Sequence, residues 1–410
     1  MKDKMIEVIH EAVSALFGYP GKEVSLFHHN DTDGLSSGAI LMNSFERIGY
    51  TVSRFSLEKP YPQVLEMIFS KSNQILIFAD FAGKIAPLIS KMNGGRNLVI
   101  ILDHHPAEDV DDEMVFNLDG ELYGLKGDRD ISASSVCYLF ADILLNQLNF
   151  EADDLSHLGT LGAIGDGFLV DGALSGINRE LMEIAVERKL IRVVKNESGE
   201  EYFITLGGFE YPAAYITSSL DTLGGVGYYQ DGTTLGMEIC LHGMNPEIMK
   251  QIETYNKTKD TLFEQGIKFL KENIVSTEHL QWFNLADSFR PMGVKMVGVF
   301  CNEIKDMDFL DKTKYLAGFQ IVPDEVPGFG PVTFNSTKIS MRVSNHLTER
   351  IRSGESPGLN TFLPEATINI GGFVDACHGL SAATTVKVGE EELLINEVEK
   401  GLKKRMENNG

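Results

Sequence analysis

The spacing of apolar positions predicts alternating helices and strands in the first part of the chain. Residues 2–17 repeat apolar side chains at helical spacing, and Gly18 with Pro20 ends that helix. Strand-length apolar runs follow at 24–27, 52–55, 75–78, 98–102 and 114–116, and helix-like segments at 35–48, 61–71 and 84–92 separate the first four. This alternation is typical of a parallel sheet covered by helices on both faces.

The pattern changes after residue 175. Residues 176–189 look helical, 205–244 are glycine-rich and predict loops with short elements, and 246–273 predict a long helix that is polar on one side. Strand-like runs return at 294–300, 314–322 and 338–343, followed by a final helix near 390–406.

The length of 410 residues favours two or three domains, because a single core rarely grows that large. We therefore predict an α/β protein with a parallel-sheet domain at 1–175 and a smaller α/β C-terminal domain at 281–410. Residues 176–280 form an insertion and a helical connector in this prediction.

Composition narrows the class of protein. Hydrophobic residues make up 43% and charged residues 23%, which is typical of a folded protein. No apolar run reaches the roughly eighteen residues of a membrane span, and the first residues lack the apolar core of a signal peptide, so we expect a cytoplasmic protein without a membrane partner. The four cysteines are scattered without a CxxC pair, which argues against a zinc knuckle and a disulfide framework.

The net charge of −23 disfavours a broad surface that coats nucleic acid. It does not exclude a nuclease, because bound cations neutralise an acidic metal site. Any track for nucleic acid must then be narrow and local.

Metal-type side chains stand where several predicted strands end. Residues two apart on an extended strand end point the same way, and carboxylates with imidazoles suit Mn²⁺, Mg²⁺ or Zn²⁺. The alternative is a set of polar turns in which aspartates cap the next helices. The side chains are His29, Asp31 and Asp33 after the first run, Asp80 after the third, Asp103, His104 and His105 after the fourth, and Asp166 in a later helix-like stretch.

These segments resemble the four motifs of the DHH phosphoesterase superfamily, in family order across residues 24–167. The matching segments are HNDTDG at 29–34, the strand-ending Asp80, DHH at 103–105 and GAIGD at 162–166. The segment ISASSV at 131–136 also resembles the family, as a helix start after the site.

The second half resembles the DHH-associated C-terminal substrate-binding domain. KISMRVS at 338–344 is similar to its arginine-bearing strand, and GGFVDACHGLSAAT at 371–384 is similar to its glycine-rich histidine loop, although the residues just before the histidine depart from the family pattern. The resemblance implies substrate contacts from Arg342, Gly371, Gly372 and His378. Length and two-lobed layout most resemble archaeal RecJ-like single-strand exonucleases.

The family pattern implies two divalent ions that share one carboxylate. His29, Asp31 and Asp80 would hold the first ion, and Asp33, Asp80, His104 and Asp166 the second. Mn²⁺ is the first choice and Mg²⁺ the alternative, since sulfur ligands are absent from the set.

Two members of the DHH triplet remain for catalysis. Asp103 is expected to orient a metal-bound imidazole, and His105 to face the phosphate as a donor or proton carrier. The alternative for His105 is that of an additional metal ligand.

The resemblance thus implies a metal-dependent exonuclease on single-stranded DNA or RNA, in DNA repair or replication. A phosphodiesterase for short oligonucleotides or cyclic dinucleotides is the second hypothesis. The third is a replication scaffold that binds GINS of the replicative helicase complex; scaffold members of the family have lost metal ligands, which this chain retains.

Overall fold

The computed structural model describes residues 2–197 and 199–408, so Met1, Ser198, Asn409 and Gly410 lie outside the description. The chain divides into two compact units. The first contains residues up to 253 together with 327–329, and the second contains 254–326 and the residues from 330 onward. The predicted boundaries at 175 and 280 stay predictions about domain organisation.

The first unit is built on a five-stranded parallel sheet, as the sequence predicted. Its strands lie in the order β2-β1-β3-β4-β5. They are β1 (Glu23–His29), β2 (Thr51–Leu57), β3 (Ile75–Ala79), β4 (Leu98–Leu102) and β5 (Val115–Asn117). Strands β3 and β4 read ILIFA and LVIIL and are buried at every position, because helices cover both faces of a parallel sheet.

Nine helices and a small antiparallel sheet complete this unit among the described residues. The helices are α1 (Lys2–Gly18), α2 (Thr32–Arg47), α3 (Pro62–Phe69), α4 (Ala86–Asn93), α5 (Ala133–Asn146), α6 (Ser156–Gly165), α7 (Gly176–Glu187), α8 (Ala213–Asp221) and α9 (Gly232–His242). The small sheet contains β6 (Ile191–Asn196), β7 (Gly199–Leu206) and β8 (Phe209–Pro212). The short elements predicted with loops at 205–244 are α8, a π-helical turn at Thr222–Val226 and α9.

The long helix α10 (Pro246–Asn273) begins in the first unit and continues into the second. The second unit holds a six-stranded sheet in the order β15-β16-β14-β11-β10-β9, in which only β10 and β11 are parallel among the described pairs. Its strands are β9 (Val275–Ser276), β10 (Leu280–Asn284), β11 (Tyr315–Ile321), β14 (Ser336–Arg342), β15 (Phe373–Cys377) and β16 (Ser381–Lys387), with a separate hairpin of β12 (Glu325–Val326) and β13 (Gly330–Pro331).

Four further helices belong to the second unit. They are α11 (Met296–Ile304), α12 (Asn345–Arg352), α13 (Leu363–Asn369) and α14 (Glu391–Asn408). The strand predicted at 294–300 was wrong, because this run forms most of α11. A short apolar run fits a buried helix as well as a strand, and the buried Cys301 and Ile304 continue the helical spacing beyond the predicted window.

The tip of the β12–β13 hairpin belongs to the first unit. Residues 327–329 include Phe329, whose ring centroid lies 5.1 Å from that of Phe55 and 6.3 Å from that of Phe27. Gly328 adopts φ +83°, and a Cβ there would lie 2.8 Å from Cδ1 of Phe55. Three residues from the second half of the sequence therefore complete an aromatic cluster on the first sheet.

None of the helices described in the two residue ranges combines the length and apolar character needed to span a bilayer.

Candidate metal centre

Strand register brings the candidate ligands to one edge of the parallel sheet. His28 of β1 pairs with Ala79 of β3, and Ala79 pairs with Leu102 of β4. The next residue on each chain segment is His29, Asp80 or Asp103. These three side chains therefore stand side by side at the carboxyl edge, which is where open α/β sheets place their sites.

Three of the predicted ligands form a first group. Nδ1 of His29 lies 2.7 Å from Oδ2 of Asp31 and 3.4 Å from Oδ2 of Asp80. Asp31 is also the N-cap of α2 and accepts a hydrogen bond from the backbone N–H of Gly34 at 3.2 Å. The capping role that the sequence left open is therefore real, and it coexists with the cluster.

A second group surrounds the imidazole of His104. Its Nε2 lies 3.4 Å from Oδ1 of Asp80, 3.2 Å from Oδ2 of Asp166 and 3.9 Å from Oδ2 of Asp33. Asp80 belongs to both groups, and it turns a different oxygen toward each. Asp80 is therefore the residue that the two groups share.

Two carboxylates of the second group, those of Asp33 and Asp166, stand at helix ends. Asp33 lies in the first turn of α2, and its oxygens accept hydrogen bonds from the backbone N–H groups of Ala133 (2.8 Å) and Ser134 (3.0 Å), at the start of α5. A Cβ at Gly162 would lie 2.1 Å from Oδ1 of Asp33, so only glycine lets α6 approach this closely. Asp166 follows the last residue of α6. The helix start expected near 131–136 thus anchors a candidate ligand.

The DHH triplet is oriented by a network that the sequence predicted only in part. Asp103 accepts hydrogen bonds from the backbone N–H of Gly83 (2.8 Å) and from that of His104 (2.8 Å), and its Oδ1 lies 2.8 Å from Nδ1 of His105. The imidazole that it orients is therefore that of His105. Nδ1 of His104 donates a hydrogen bond to the carbonyl oxygen of Gly127, so Nε2 is the ring nitrogen that faces the carboxylates.

Gly127 carried no signal in the sequence, because it lies in a loop outside every recognisable motif. A Cβ at this position would lie 1.6 Å from the backbone oxygen of His104, so a side chain is sterically excluded.

Ligand-type atoms of Asp80, Asp103, His104 and His105 also lie within 4.8 Å of one another. The alternative role of His105 as a metal ligand therefore stays open.

The closely packed carboxylates and imidazoles of the cluster shift one another's pKa values. Burial and the negative charge of Asp166 raise the pKa of Asp33 to about 7. Burial and the nearby Asp31 and Asp33 raise the pKa of Asp80 as well. Burial alone would lower the pKa of His29, but the charges and hydrogen bonds of Asp31 and Asp80 together outweigh it and raise the pKa to about 10. Burial and the close approach of several carboxylates thus favour protonation of the imidazoles and of some of the carboxylates.

Two buried atoms at the centre of the cluster lack hydrogen-bond partners among the described residues. They are Oδ1 of Asp80, which is 2% exposed, and Nε2 of His104, which is 5% exposed. Native proteins rarely leave such atoms unpaired, and imidazole nitrogen with carboxylate oxygen is a donor set that divalent cations accept. The residues therefore fit a divalent metal ion.

The predicted substrate residues of the second unit occupy two ends of one sheet. Arg342 ends β14 and pairs with Ser381 of β16, whose carbonyl accepts a hydrogen bond from the backbone N–H of His378 at 2.8 Å. Arg342 and His378 therefore lie at the same end. A Cβ at Gly372 would instead lie 2.8 Å from the backbone oxygen of Thr385, four residues farther along β16, which corresponds to about 13 Å.

Local contacts indicate what these residues do in the fold. The guanidinium of Arg342 donates to the backbone oxygen of Met341 at 2.8 Å, and burial lowers its pKa. Gly371 adopts φ +75° in the turn after α13, and a Cβ at Gly372 would lie 2.7 Å from Cγ2 of Thr367. The backbone conformation of Gly371 and the tight packing of Gly372 thus explain why glycine stands at these positions without reference to a substrate.

Comparisons with known proteins place the fold. No family model matches the chain. An uncharacterized protein of Methanocaldococcus jannaschii is 33% identical over 202 residues, which cover 47% of this chain and 43% of the relative. The chain thus matches less than half the length of that curated relative.

Solved structures match nearly the whole chain. The crystal structure of RecJ in complex with Mn²⁺ from Thermus thermophilus covers 97% of this chain and 55% of that chain, with 15% identity and a TM-score of 0.64. A crystal structure of the exonuclease RecJ bound to manganese covers 96% of this chain and 93% of that chain, with 15% identity and a TM-score of 0.59. CDC45 from Entamoeba histolytica covers 98% of both, with 11% identity and a TM-score of 0.51.

At these identities the likeness shows the fold alone, which is that of the RecJ structures. The predicted fold class is confirmed, and the resemblance to RecJ-like proteins is confirmed at the level of the fold.

Proposed function

We propose that this chain, whose fold is that of RecJ-like DHH proteins, is a phosphodiester hydrolase that digests single-stranded DNA or RNA from an end with the help of two divalent ions. The observation that carries the proposal is the position of Asp80, whose two oxygens face two separate ligand groups. Mn²⁺ is the first choice and Mg²⁺ the alternative.

The proposed ligand sets follow the two groups. His29, Asp31 and Asp80 would hold one ion, and Asp33, Asp80, His104 and Asp166 the other. When bound, divalent cations supply an acidified water and neutralise charge on the phosphoryl group.

The chain's own residues orient the site and carry a proton. The carbonyl of Gly127 holds the ring of His104 so that Nε2 faces the carboxylates. Nδ1 of His105 donates a hydrogen bond to Oδ1 of Asp103. Nε2 is therefore the ring nitrogen available to a phosphate or leaving group. Burial alone would lower the pKa of His105, but the charge and hydrogen bond of Asp103, together with the charge of Asp80, outweigh it and raise the pKa to about 9. His105 is then protonated near neutral pH and can serve as a general acid.

In the second unit, Arg342 is the proposed phosphate contact, because a guanidinium binds phosphate through two parallel hydrogen bonds. His378 lies at the same end of that sheet and is proposed to assist it. Gly371 and Gly372 are proposed to let the substrate backbone approach, although their packing is an equally good explanation.

Two other functions remain as alternatives. A phosphodiesterase for short oligonucleotides or cyclic dinucleotides would use the same ligand groups. The likeness to CDC45 favours, as a second candidate, a replication scaffold that binds GINS, and this role is compatible with catalysis. The proposed biological setting is DNA repair or replication.

The test uses purified protein with Mn²⁺ and long single strands of DNA and RNA, each labelled at one end. A dinucleotide, a cyclic dinucleotide and an EDTA control run beside them. Stepwise shortening that EDTA abolishes is the expected result, and the label position gives the direction. Cleavage of dinucleotides alone would move the protein to the small-substrate class, and no cleavage of any substrate would favour the scaffold.

A further inference from the structure

The segment from α8 to the π turn contacts the metal-ligand motif on both sides of Asp31. On the far side, the backbone N–H of Thr32 donates to Oδ1 of Asp221 at 3.1 Å, and the hydroxyl of Thr32 lies 2.9 Å from the same oxygen. That hydroxyl also lies 3.1 Å from the backbone oxygen of Thr217. Thr32 is 1% exposed, so these contacts replace water for a residue that separates Asp31 from Asp33.

On the near side, Asn30 is fully buried and its Nδ2 donates to the backbone oxygen of Gly224 at 2.7 Å. A Cβ at Gly224 would lie 1.5 Å from the backbone oxygen of Asn30, so this close approach requires glycine. Asp221 and Gly224 together fix the two residues that flank Asp31.

The π turn supplies the backbone geometry for both contacts. Thr222–Val226 are all buried, and the N–H of Gly227 donates to the carbonyl of Thr222 at 3.2 Å, five residues back. Single π turns are rare and occur frequently at functional sites. Here the turn follows directly on Asp221, so that a side chain and a backbone carbonyl from one short segment reach the same motif.

We infer that Asp221, seated at the start of the π turn, is a positioning residue for the metal ligands Asp31 and Asp33; this inference rests on the proposed metal-dependent function. The carboxylate oxygen fixes the Thr32 peptide, and the orientation of that peptide sets the direction of the two flanking carboxylates. Loss of the acceptor would leave the buried N–H of Thr32 unpaired, since the hydroxyl retains the backbone oxygen of Thr217, and the motif would shift to pair that N–H elsewhere.

The test compares three substitutions in the full chain. Asp221→Ala removes the acceptor, Asp221→Asn retains an acceptor oxygen of the same shape, and Glu238→Ala removes an exposed charge from α9 as a matched control. Mn²⁺ affinity is measured by calorimetry, the bound ion is observed by electron paramagnetic resonance, and folding is checked by thermal unfolding in EDTA.

We expect Asp221→Ala to weaken Mn²⁺ binding by about 10–100-fold and to change the resonance spectrum, as is typical when a residue behind metal ligands is removed. Asp221→Asn and Glu238→Ala should bind Mn²⁺ like the wild type. Wild-type affinity in folded Asp221→Ala would overturn the inference. Equal losses in the alanine and asparagine variants would also overturn it, since charge rather than hydrogen bonding would then be responsible.

If Asp221→Ala does not fold, Asp221→Ser takes its place, because its shorter side chain withdraws the acceptor from the backbone N–H of Thr32. A severalfold weaker Mn²⁺ affinity would support the inference, and an unchanged affinity would overturn it. Absence of Mn²⁺ binding by the wild type would instead overturn the proposed metal centre, and the inference with it.

Discussion

The two sheets of this protein gather their candidate residues in different ways. In the parallel sheet of the first unit, His29, Asp80 and Asp103 each stand at a strand end, and strand register sets them side by side. In the mostly antiparallel sheet of the second unit, Arg342 and Gly372 lie at positions about 13 Å apart along the neighbouring strand. The residues that sequence motifs single out therefore lie close together in the first unit and apart in the second.

The difference follows from strand direction. Parallel strands all end at the same edge, so a strand-end residue can be assigned a location from sequence alone. Consecutive antiparallel strands end at opposite edges. Gly371 and Gly372 stand before β15 and His378 stands after it, so one glycine-rich segment contributes to both ends of the sheet.

The largest expected effect would come from Asp80→Asn, which tests whether convergence in the first unit has a chemical purpose. Asparagine tolerates the left-handed backbone of this position, where φ is +67°. We expect hydrolysis of labelled single strands to fall by at least about 10³-fold, equivalent to roughly 4 kcal/mol in the barrier.

Folding should survive this change. Burial and neighbouring carboxylates raise the pKa of Asp80, so removal of its charge should leave the melting temperature in EDTA equal or higher. The exposed Asp111→Asn is the matched control. Wild-type hydrolysis by Asp80→Asn would contradict the shared-carboxylate site.

Gly372→Ala asks whether the second unit needs this glycine for packing. The new Cβ would lie 2.7 Å from Cγ2 of Thr367 and 2.8 Å from the backbone oxygen of Thr385. We expect the free energy of unfolding to fall by about 1–3 kcal/mol, as overpacking typically causes, with little change in KM. Denaturant unfolding of Gly379→Ala provides the control, because the nearest atom there would lie 3.8 Å away. A higher KM with unchanged stability would return Gly372 to a substrate role.

Arg342→Ala measures how much the second unit contributes to substrate binding. Loss of one guanidinium–phosphate contact should raise KM by about tenfold, or 1.4 kcal/mol, and leave kcat nearly unchanged. Steady-state kinetics of His378→Ala, at the same end of the sheet, should show a smaller rise. The exposed Arg352→Ala serves as the control. An equal rise in KM in that variant would mean that Arg342 acts through the overall positive charge of the unit and not through a specific contact with phosphate.

The last prediction concerns how the stability of the metal-free protein depends on pH. The pKa values of His29 and His105 are raised to about 10 and about 9, so both bind protons in the folded chain that the unfolded chain releases above its ordinary value of 6.5. Stability contributed by these groups is present at low pH and is lost as pH rises through the folded values.

The melting temperature in EDTA should therefore fall by roughly 5 °C or more between about pH 7 and pH 9, since each of the two groups contributes about 1.4 kcal/mol per pH unit. Mn²⁺ should reduce this fall, because metal binding displaces protons and tightens as pH rises. An equal fall in melting temperature with and without Mn²⁺ would show that the titrating groups are not coupled to metal binding.

Sequence reasoning was most successful where local pattern and topology agreed. The runs before Asp80 and Asp103 are entirely apolar, and their location at strand ends followed from the parallel sheet alone. The structure brings all six predicted ligands into two groups that share Asp80.

Sequence reasoning failed where a contact depends on a loop or on a distant segment. The carbonyl of Gly127 faces His104, and Asp221 faces Thr32 across 189 residues of sequence, and neither contact has a periodic or motif signal. Strand length misled the prediction for α11, because a buried helix shows the same apolar run over a few residues.

The return of residues 327–329 to the first unit limits how the gene can be divided. A coding segment that stops after residue 253 would encode the parallel sheet and every proposed metal ligand, yet it would lack Phe329, whose ring packs on Phe27 and Phe55. A truncated fragment would thus expose apolar rings that the intact chain covers, and its poor solubility would be an artefact of dissection. Exchange of C-terminal halves between relatives faces the same requirement, since each donor must bring an aromatic hairpin tip that fits the host sheet.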